Sequence, residues 1–263
     1  MKWLKGLLIN LQFFTSIPIP MSLPMDKPHL EKAIRTFPIA GLIQGSIYAF
    51  ILYAFLEWTP FSLLAAAFAV WLAGILLTGG IHLDGWMDAS DAFFSYRDQK
   101  RRLEIMSDPR VGAFGVLSII VLLGTRFLFI YEIVLLSNLY SFFLIAVIPF
   151  LSKMVMGVLL IKVKAAKTEG LGSLFQQAAS KTTLSIYPIF LLAAAAAAGL
   201  AGYPAIVGFL IMVLFSILLF AFLSRKVIAW FGGMTGDVLG ASVEGTEVFL
   251  WMILWLLHYF VMG

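Results

Sequence analysis

VGAFGVLSIIVLLGTRFLFIYEIVLL, residues 111–136, decides the fold, because Arg126 and Glu132 are the only charged residues in it. As a helix of 26 residues it reaches about 39 Å, more than the roughly 30 Å of hydrocarbon in a bilayer. A second run, LYSFFLIAVIPFLSKMVMGVLLI at 139–161, begins just past Ser137-Asn138 and carries Lys153 as its one charge. Helices apolar on every side belong in lipid rather than on the surface of a soluble core.

Working outward, five more runs are long enough, or nearly so, to span: 38–57, 60–81, 184–200, 204–224 and 248–262. The chain of 263 residues is 62% hydrophobic and 12% charged, with a mean hydropathy of +1.00; an ordinary soluble domain is roughly a quarter charged. The expected architecture is an all-α polytopic integral membrane bundle of about seven transmembrane helices with no β-sheet. The whole chain, 1–263, reads as one membrane-embedded domain. Within it, 1–37 is an interfacial or cytoplasmic N-terminal segment, and 82–110, 162–183 and 225–247 are cytoplasmic loops. The tract Ala193–Ala198 reads as a small-residue packing face between helices.

Lys2 and Lys5 precede Leu7-Leu8-Ile9, but no small-residue cleavage site follows, and Pro18 and Pro20 break the segment. It reads as an interfacial amphipathic stretch rather than a removed signal. There is no cysteine, which excludes disulfides, thiolate metal sites and a cysteine nucleophile. The net charge of +4 is not a nucleic-acid footprint, because sixteen of the 18 basic residues fall in the N-terminal segment and the three long loops. Basic residues gather on the cytoplasmic side of membrane proteins, so the N-terminus and those loops are expected there. The other three connections contain neither Lys nor Arg.

The acids share that side. GGIHLDGWMDASD, Gly79–Asp91, places Asp84, Asp88 and Asp91 at i, i+4 and i+7, one stripe of a helix. Like charges so aligned repel, and a hard divalent cation such as Mg²⁺, which takes carboxylate and phosphate oxygens, offsets that repulsion. A solvated helix face is the plain alternative. GGMTGDVLGASVEGTE, Gly232–Glu247, adds Asp237 and Glu244 seven residues apart with four glycines nearby; the plain alternative there is a glycine-rich surface loop. Two acidic faces meeting across a bundle suit phosphoryl transfer, where catalysis is mostly positioning and charge neutralisation. Arg97, Arg101, Arg102 and Arg110, with Asp108 among them, follow the first acidic face and suit phosphate-bearing substrates, although any positive-inside loop needs some arginine. Lys153, about two turns inside its span, is placed to reach an anionic substrate. Arg126 lies deeper, and Glu132 is poorly phased to pair with it. His82 is either a ligand, a base or a hydrogen-bonded structural histidine. No P-loop, dinucleotide fingerprint or Ser-His-Asp grouping is present.

These residues resemble the cobalamin synthase family, the adenosylcobinamide-GDP ribazoletransferases. The matching text is Gly79–Asp91, RDQKRRLEIMSDPRVGAFG from Arg97 to Gly115, and Gly232–Glu247. Weaker matches lie at Leu11–Pro20, Phe37–Gly41 and Glu169–Gly172. The resemblance implies a transferase of cobalamin biosynthesis that joins α-ribazole, or its 5′-phosphate, to adenosylcobinamide-GDP with release of GMP, assisted by Mg²⁺ at the cytoplasmic face of a bacterial or archaeal cell membrane. It implies catalytic roles for His82, Asp84, Asp88 and Asp91, with Asp84, Asp88, Asp91, Asp237 and Glu244 as metal ligands. It implies substrate binding by Arg97, Arg101, Arg102, Asp108, Arg110, Lys153 and Thr235. A homo-oligomer, or association with other cobamide-assembly enzymes, is compatible with that role. The chain departs from the family pattern at Ser152-Lys153, where an arginine is usual, and at Trp86 and Met87, where residues are usually smaller.

Rival readings fit less well. A CDP-alcohol phosphatidyltransferase needs an Ala-Arg after its first Asp-Gly, and an intramembrane prenyltransferase wants DDxxD motifs; neither is present. A secondary transporter places its acids at the midplane, whereas these cluster at span ends.

Overall fold

Residues 1–262 of the computed structural model are described. Side chains that the sequence supplies set where several helices begin. Asp26 accepts from the backbone of His29, Ser62 from Ala65, Asn138 from Tyr140 and Ser141, and Thr235 from Val238, each satisfying N–H groups that a helix end leaves free. The chain runs through α1 (Lys2–Phe14), α2 (Lys27–Trp58), α3 (Leu63–Thr78), α4 (Ile81–Phe94), α5 (Gln99–Ile105) and α6 (Ala113–Leu135). It continues through α7 (Leu139–Lys162), α8 (Leu171–Ala178), a 3₁₀ turn at Thr183–Ile186, α9 (Tyr187–Ala201), α10 (Tyr203–Phe231) and α11 (Gly236–Phe260). Among the described residues there is no strand; one parallel bridge pairs Ala165 with Met234.

The protein is an all-α, multi-pass membrane bundle. Six of its helical segments are long and apolar enough to cross a bilayer, and α3 with α4 makes a seventh candidate only as a pair bent by 85°. Gly79 and Gly80 cause the bend: φ is 61° and 78°, left-handed geometry open to glycine at no steric cost. Residues 82–94 therefore do not extend the second span. α7 is the central post, buried along nearly all of its apolar length, whereas the segment containing α9 is mostly exposed. The Ala193–Ala198 tract packs by one side only: Ala198 is buried and Ala194 and Ala195 lie against the apolar core, while Ala193, Ala196 and Ala197 are exposed on the rim. Small residues also let α2 approach α7 closely, where Gly41 and Gly45 meet the backbone of Pro149 and Ala146.

The expected loops are largely helical. α10 continues to Phe231 and α11 starts at Gly236, so only a short connection separates them inside 225–247, and the final apolar run is the end of a 25-residue helix. Segment 82–110 holds α4 and α5, and 27–37 is the start of α2. α1 lies on α2: Asn10, fully buried, donates to the Ala33 carbonyl and the Thr36 hydroxyl, both at 2.8 Å. Two apolar cores result. One surrounds Tyr48, Phe209 and Trp251; the other, around Ile34, Phe37, Phe175 and Val243, lies beneath the acidic end.

Candidate functional site

α4 crosses the first turn of α11 with almost no space between backbones. A Cβ on Gly85 would stand 2.7 Å from the Asp237 carbonyl oxygen and 3.0 Å from its Cα, so only glycine fits. The crossing brings Asp84 and Asp88 of one segment to Asp237 of another about 150 residues away, and the fields of Asp84 and Asp237 both act on Asp88. Asp84 and Asp237 sit in the first turns of their helices, where the positive end of the helix dipole favours a carboxylate. Burial, then repulsion by Asp84, Asp237 and Asp91, pushes the Asp88 carboxyl up to about 6.

Beside this crossing lies a cavity of about 150 Å³. Asp84, His82 and Asp237 form its polar wall, and Phe14, Phe37 and Phe175 its aromatic one. The connection 163–170 closes over α11 through two hydrogen bonds, Ala166 N–H to Met234 O at 2.9 Å and Met234 N–H to Lys164 O at 2.8 Å. This fold-over carries Lys167 to the site, where its ammonium donates to the Ser107 hydroxyl at 2.6 Å and its field reaches Asp237. Three larger cavities, lined by apolar residues of α4, α6, α7, α9, α10 and α11, lie along the bundle and hold no titratable group except Tyr187.

Several residues expected at the site are spent elsewhere. Asp91 accepts from the backbone N–H groups of Gly112 and Gly115, both at 2.7 Å, and so closes the start of α6, whose N-cap glycine has no side chain to do it. Glu244 is an ion-pair partner of Arg126, both almost wholly buried. Lys153 is 2% exposed and bonds to His82 Nε2. Its ammonium is not free for a substrate. Thr235 caps α11, accepting from Val238 N–H at 3.1 Å, and donates to Met106 Sδ at 3.2 Å. Asp108 holds Arg110 through two side-chain bonds of 2.9 and 2.6 Å, which pushes its own carboxyl down to about 2. Arg101 pairs with Glu104 at 2.6 Å. Arg102 donates to the Trp230 carbonyl at 3.1 Å and lies over Phe93. Arg97 is exposed next to α4 and engages no acid among the described residues.

Two residues at or under the site were missed in sequence. Lys167 sits in a segment read only as positive-inside charge. Glu247, on α11, is 2% exposed and accepts from Gln44, completing a buried group with Glu244, Arg126 and Lys153. Among the described residues, no three His, Asp or Glu side chains are grouped to hold a metal ion by themselves. Of the five expected carboxylates, Asp91 and Glu244 are engaged elsewhere, and Asp84, Asp88 and Asp237 stay within reach of one another's fields. That set still fits Mg²⁺, which is commonly bound by one or two carboxylates with water and substrate phosphate completing its shell.

The family model for cobalamin-5-phosphate synthase matches residues 6–255. The chain is 42% identical over 260 residues to an adenosylcobinamide-GDP ribazoletransferase of Geobacillus sp. (strain WCH70), covering 98% of this chain and 97% of the relative. It is 35% identical to a protein of the same name from Acinetobacter baumannii (strain ATCC 17978), covering 96% and 97%, and 34% identical to one from Clostridium tetani, covering 98% and 99%. No solved structure matches the chain.

Proposed function

The chain belongs to the cobalamin-5-phosphate synthase family and is a transferase, and from that premise we propose how its residues carry the reaction. α-Ribazole, or its 5′-phosphate, offers its ribose 3′-hydroxyl to the cobinamide-linked phosphorus of adenosylcobinamide-GDP. A P–O bond forms to that oxygen, the bond to the bridging oxygen of GMP breaks, and GMP leaves. The observation that carries this reading is the α4–α11 crossing, which gathers Asp84, Asp88 and Asp237 at one end of the bundle beside a cavity.

Asp84 and Asp237 are the residues to hold Mg²⁺ together with the diphosphate. A bound Mg²⁺ supplies neutralisation of the charge that develops on the phosphates and on departing GMP. Asp88, raised to about 6, takes the hydroxyl proton; a carboxylate so raised is a better base near neutral pH than an ordinary one. Lys167 and Arg97 meet phosphate oxygens, with Lys167 released from Ser107 as the substrate enters. The basic residues around this end orient it to the cytoplasm.

The test is GMP release and cobamide formation by the detergent-purified protein with adenosylcobinamide-GDP, α-ribazole 5′-phosphate and Mg²⁺. Product from the wild type, abolished by Asp84→Asn and by omission of metal, supports the reading. Product that survives both places the metal elsewhere, and no product from folded protein removes the proposed reaction.

A further inference from the structure

His82 is held in one protonation pattern by a neighbour that no solvent reaches. Lys153 of α7 and His82 of α4 are 2% and 3% exposed, and the lysine Nζ bonds to the imidazole Nε2. The fields of Glu244 and Glu247 act on Lys153, and with Arg126 these four make two cations against two anions. Charges this deep are tolerated only in such balance, so the lysine is an ammonium, all donor and no acceptor. Its partner Nε2 must then present a lone pair, and the ring proton must sit on Nδ1.

That Nδ1 has no hydrogen-bond partner among the described residues, although His82 lines the cavity shared with Asp84 and Asp237. The ring is fixed on one side by Phe14, stacked at 5.7 Å and 19°, over which the Lys153 ammonium also lies at 5.6 Å. Near Nδ1 stands Gly240, where a Cβ would come within 3.6 Å; its missing side chain leaves the approach open. The donor has no protein acceptor among the described residues and opens onto that cavity, where a ligand oxygen can accept from it.

We propose that His82 Nδ1–H is a hydrogen-bond donor to a phosphate oxygen of the bound diphosphate, and that Lys153 is the positioning residue that fixes its tautomer. This rests on the phosphate-bearing substrate proposed above. It reverses the sequence-level roles: the histidine donates instead of acting as base, and the lysine acts through it rather than on substrate. The carboxylates recruit a cation, which cannot use a donor, so His82 serves the anionic side of the same ligand.

The chain has three histidines, which makes nitrogen NMR on histidine-labelled protein in detergent practicable. The wild type is expected to show His82 neutral with the proton on Nδ1, and inorganic pyrophosphate with Mg²⁺ shifts that signal while leaving His258 unmoved. Lys153→Met spreads the proton over both nitrogens. In the GMP-release assay, His82→Leu raises KM for adenosylcobinamide-GDP roughly tenfold with kcat changed far less, as for loss of a hydrogen bond to a charged group. His82→Gln, which can accept from Lys153 and donate onward, restores most of it. A wild-type ring protonated on Nε2 or on both nitrogens, a signal indifferent to pyrophosphate, or equal KM for the Gln and Leu variants overturns the inference. The expected tautomer and pyrophosphate shift in a protein that never releases GMP uphold the donor and sink the reaction proposed for the site. If the substituted proteins do not fold, the wild-type titration alone decides.

Discussion

Arg126 of α6 and Glu244 of α11 form an ion pair inside the bundle, with 4% and 2% of their side chains exposed. Glu244→Gln leaves Arg126 and Lys153 to share the single remaining anion, Glu247, and breaking such a buried pair costs about 3–5 kcal/mol. The expected result is a large loss of thermal stability in detergent, with activity lost only as folded protein is lost. Arg126→Met combined with Glu244→Leu recovers most of that stability, because two apolar residues remove both charges together. A single substitution that melts like the wild type would show that the pair is open to water.

Asp91 has a job distinct from its neighbours on the same stripe. Asp91→Ala frees the N–H groups of Gly112 and Gly115, and loss of a cap costs about 1–2 kcal/mol. Melting temperature should fall, while the Mg²⁺ concentration giving half-maximal rate in the surviving protein stays at the wild-type value. Asp84→Asn should do the reverse: little loss of stability and loss of metal-dependent turnover. If Asp91→Ala instead moves the Mg²⁺ requirement, its carboxylate belongs to the metal site after all.

This contrast marks where sequence stops informing. The spans were legible because lipid demands long apolar runs, and the three aspartates because their spacing puts them on one stripe. Their roles were not, since Asp84 and Asp91 differ only in what tertiary packing sets opposite them. A clue existed: Gly112 opens a helix without a side-chain cap, and such an end needs an acceptor from elsewhere. Arg126 is illegible for a related reason: the acid on its own helix, Glu132, is out of phase with it, and its actual partner is 118 residues away. The Gly79-Gly80 pair announced a turn but not its 85° angle, on which the meeting of Asp84 with Asp237 depends.

Asp88 links function to stability through pH. Its carboxyl is raised from an ordinary 3.8 to about 6 in the folded protein, so the folded state holds the proton more tightly than the unfolded chain. The penalty of ionising it is absent below about pH 4, grows as pH rises to about 6, and is complete above. The group is only partly buried, so solvent screening keeps the effect near or below about 1 kcal/mol. Asp88→Asn should therefore melt about 2–4 °C above the wild type at pH 7.5 without Mg²⁺, with a smaller gain at pH 5 and no turnover at either. Mg²⁺ narrows the gap by stabilising the wild type more. A variant that melts below the wild type at both pH values would mean that Asp88 is a stabilising contact and not a strained member of the cluster.

Gly85 is the sharpest test of the crossing itself. A methyl group there meets the Asp237 carbonyl oxygen at 2.7 Å and its Cα at 3.0 Å, and backbone cannot swing aside as a side chain can. Gly85→Ala must therefore part α4 from α11 by a fraction of an ångström to about an ångström, at an overpacking cost of about 1–3 kcal/mol. The fold absorbs that through the rest of its helix packing, but the site cannot, since misplacing reacting groups by about 1 Å can cost 10²-fold in rate. The expected outcome is a GMP-release rate down by about two orders of magnitude in a protein that still melts cooperatively within several degrees of the wild type. Gly124→Ala, on α6 where a Cβ has open space, is the matched control and should leave both measurements unchanged. A Gly85→Ala protein turning over at the wild-type rate would show that the nearness of Asp84 and Asp88 to Asp237 is incidental to the chemistry, whatever it does for the packing.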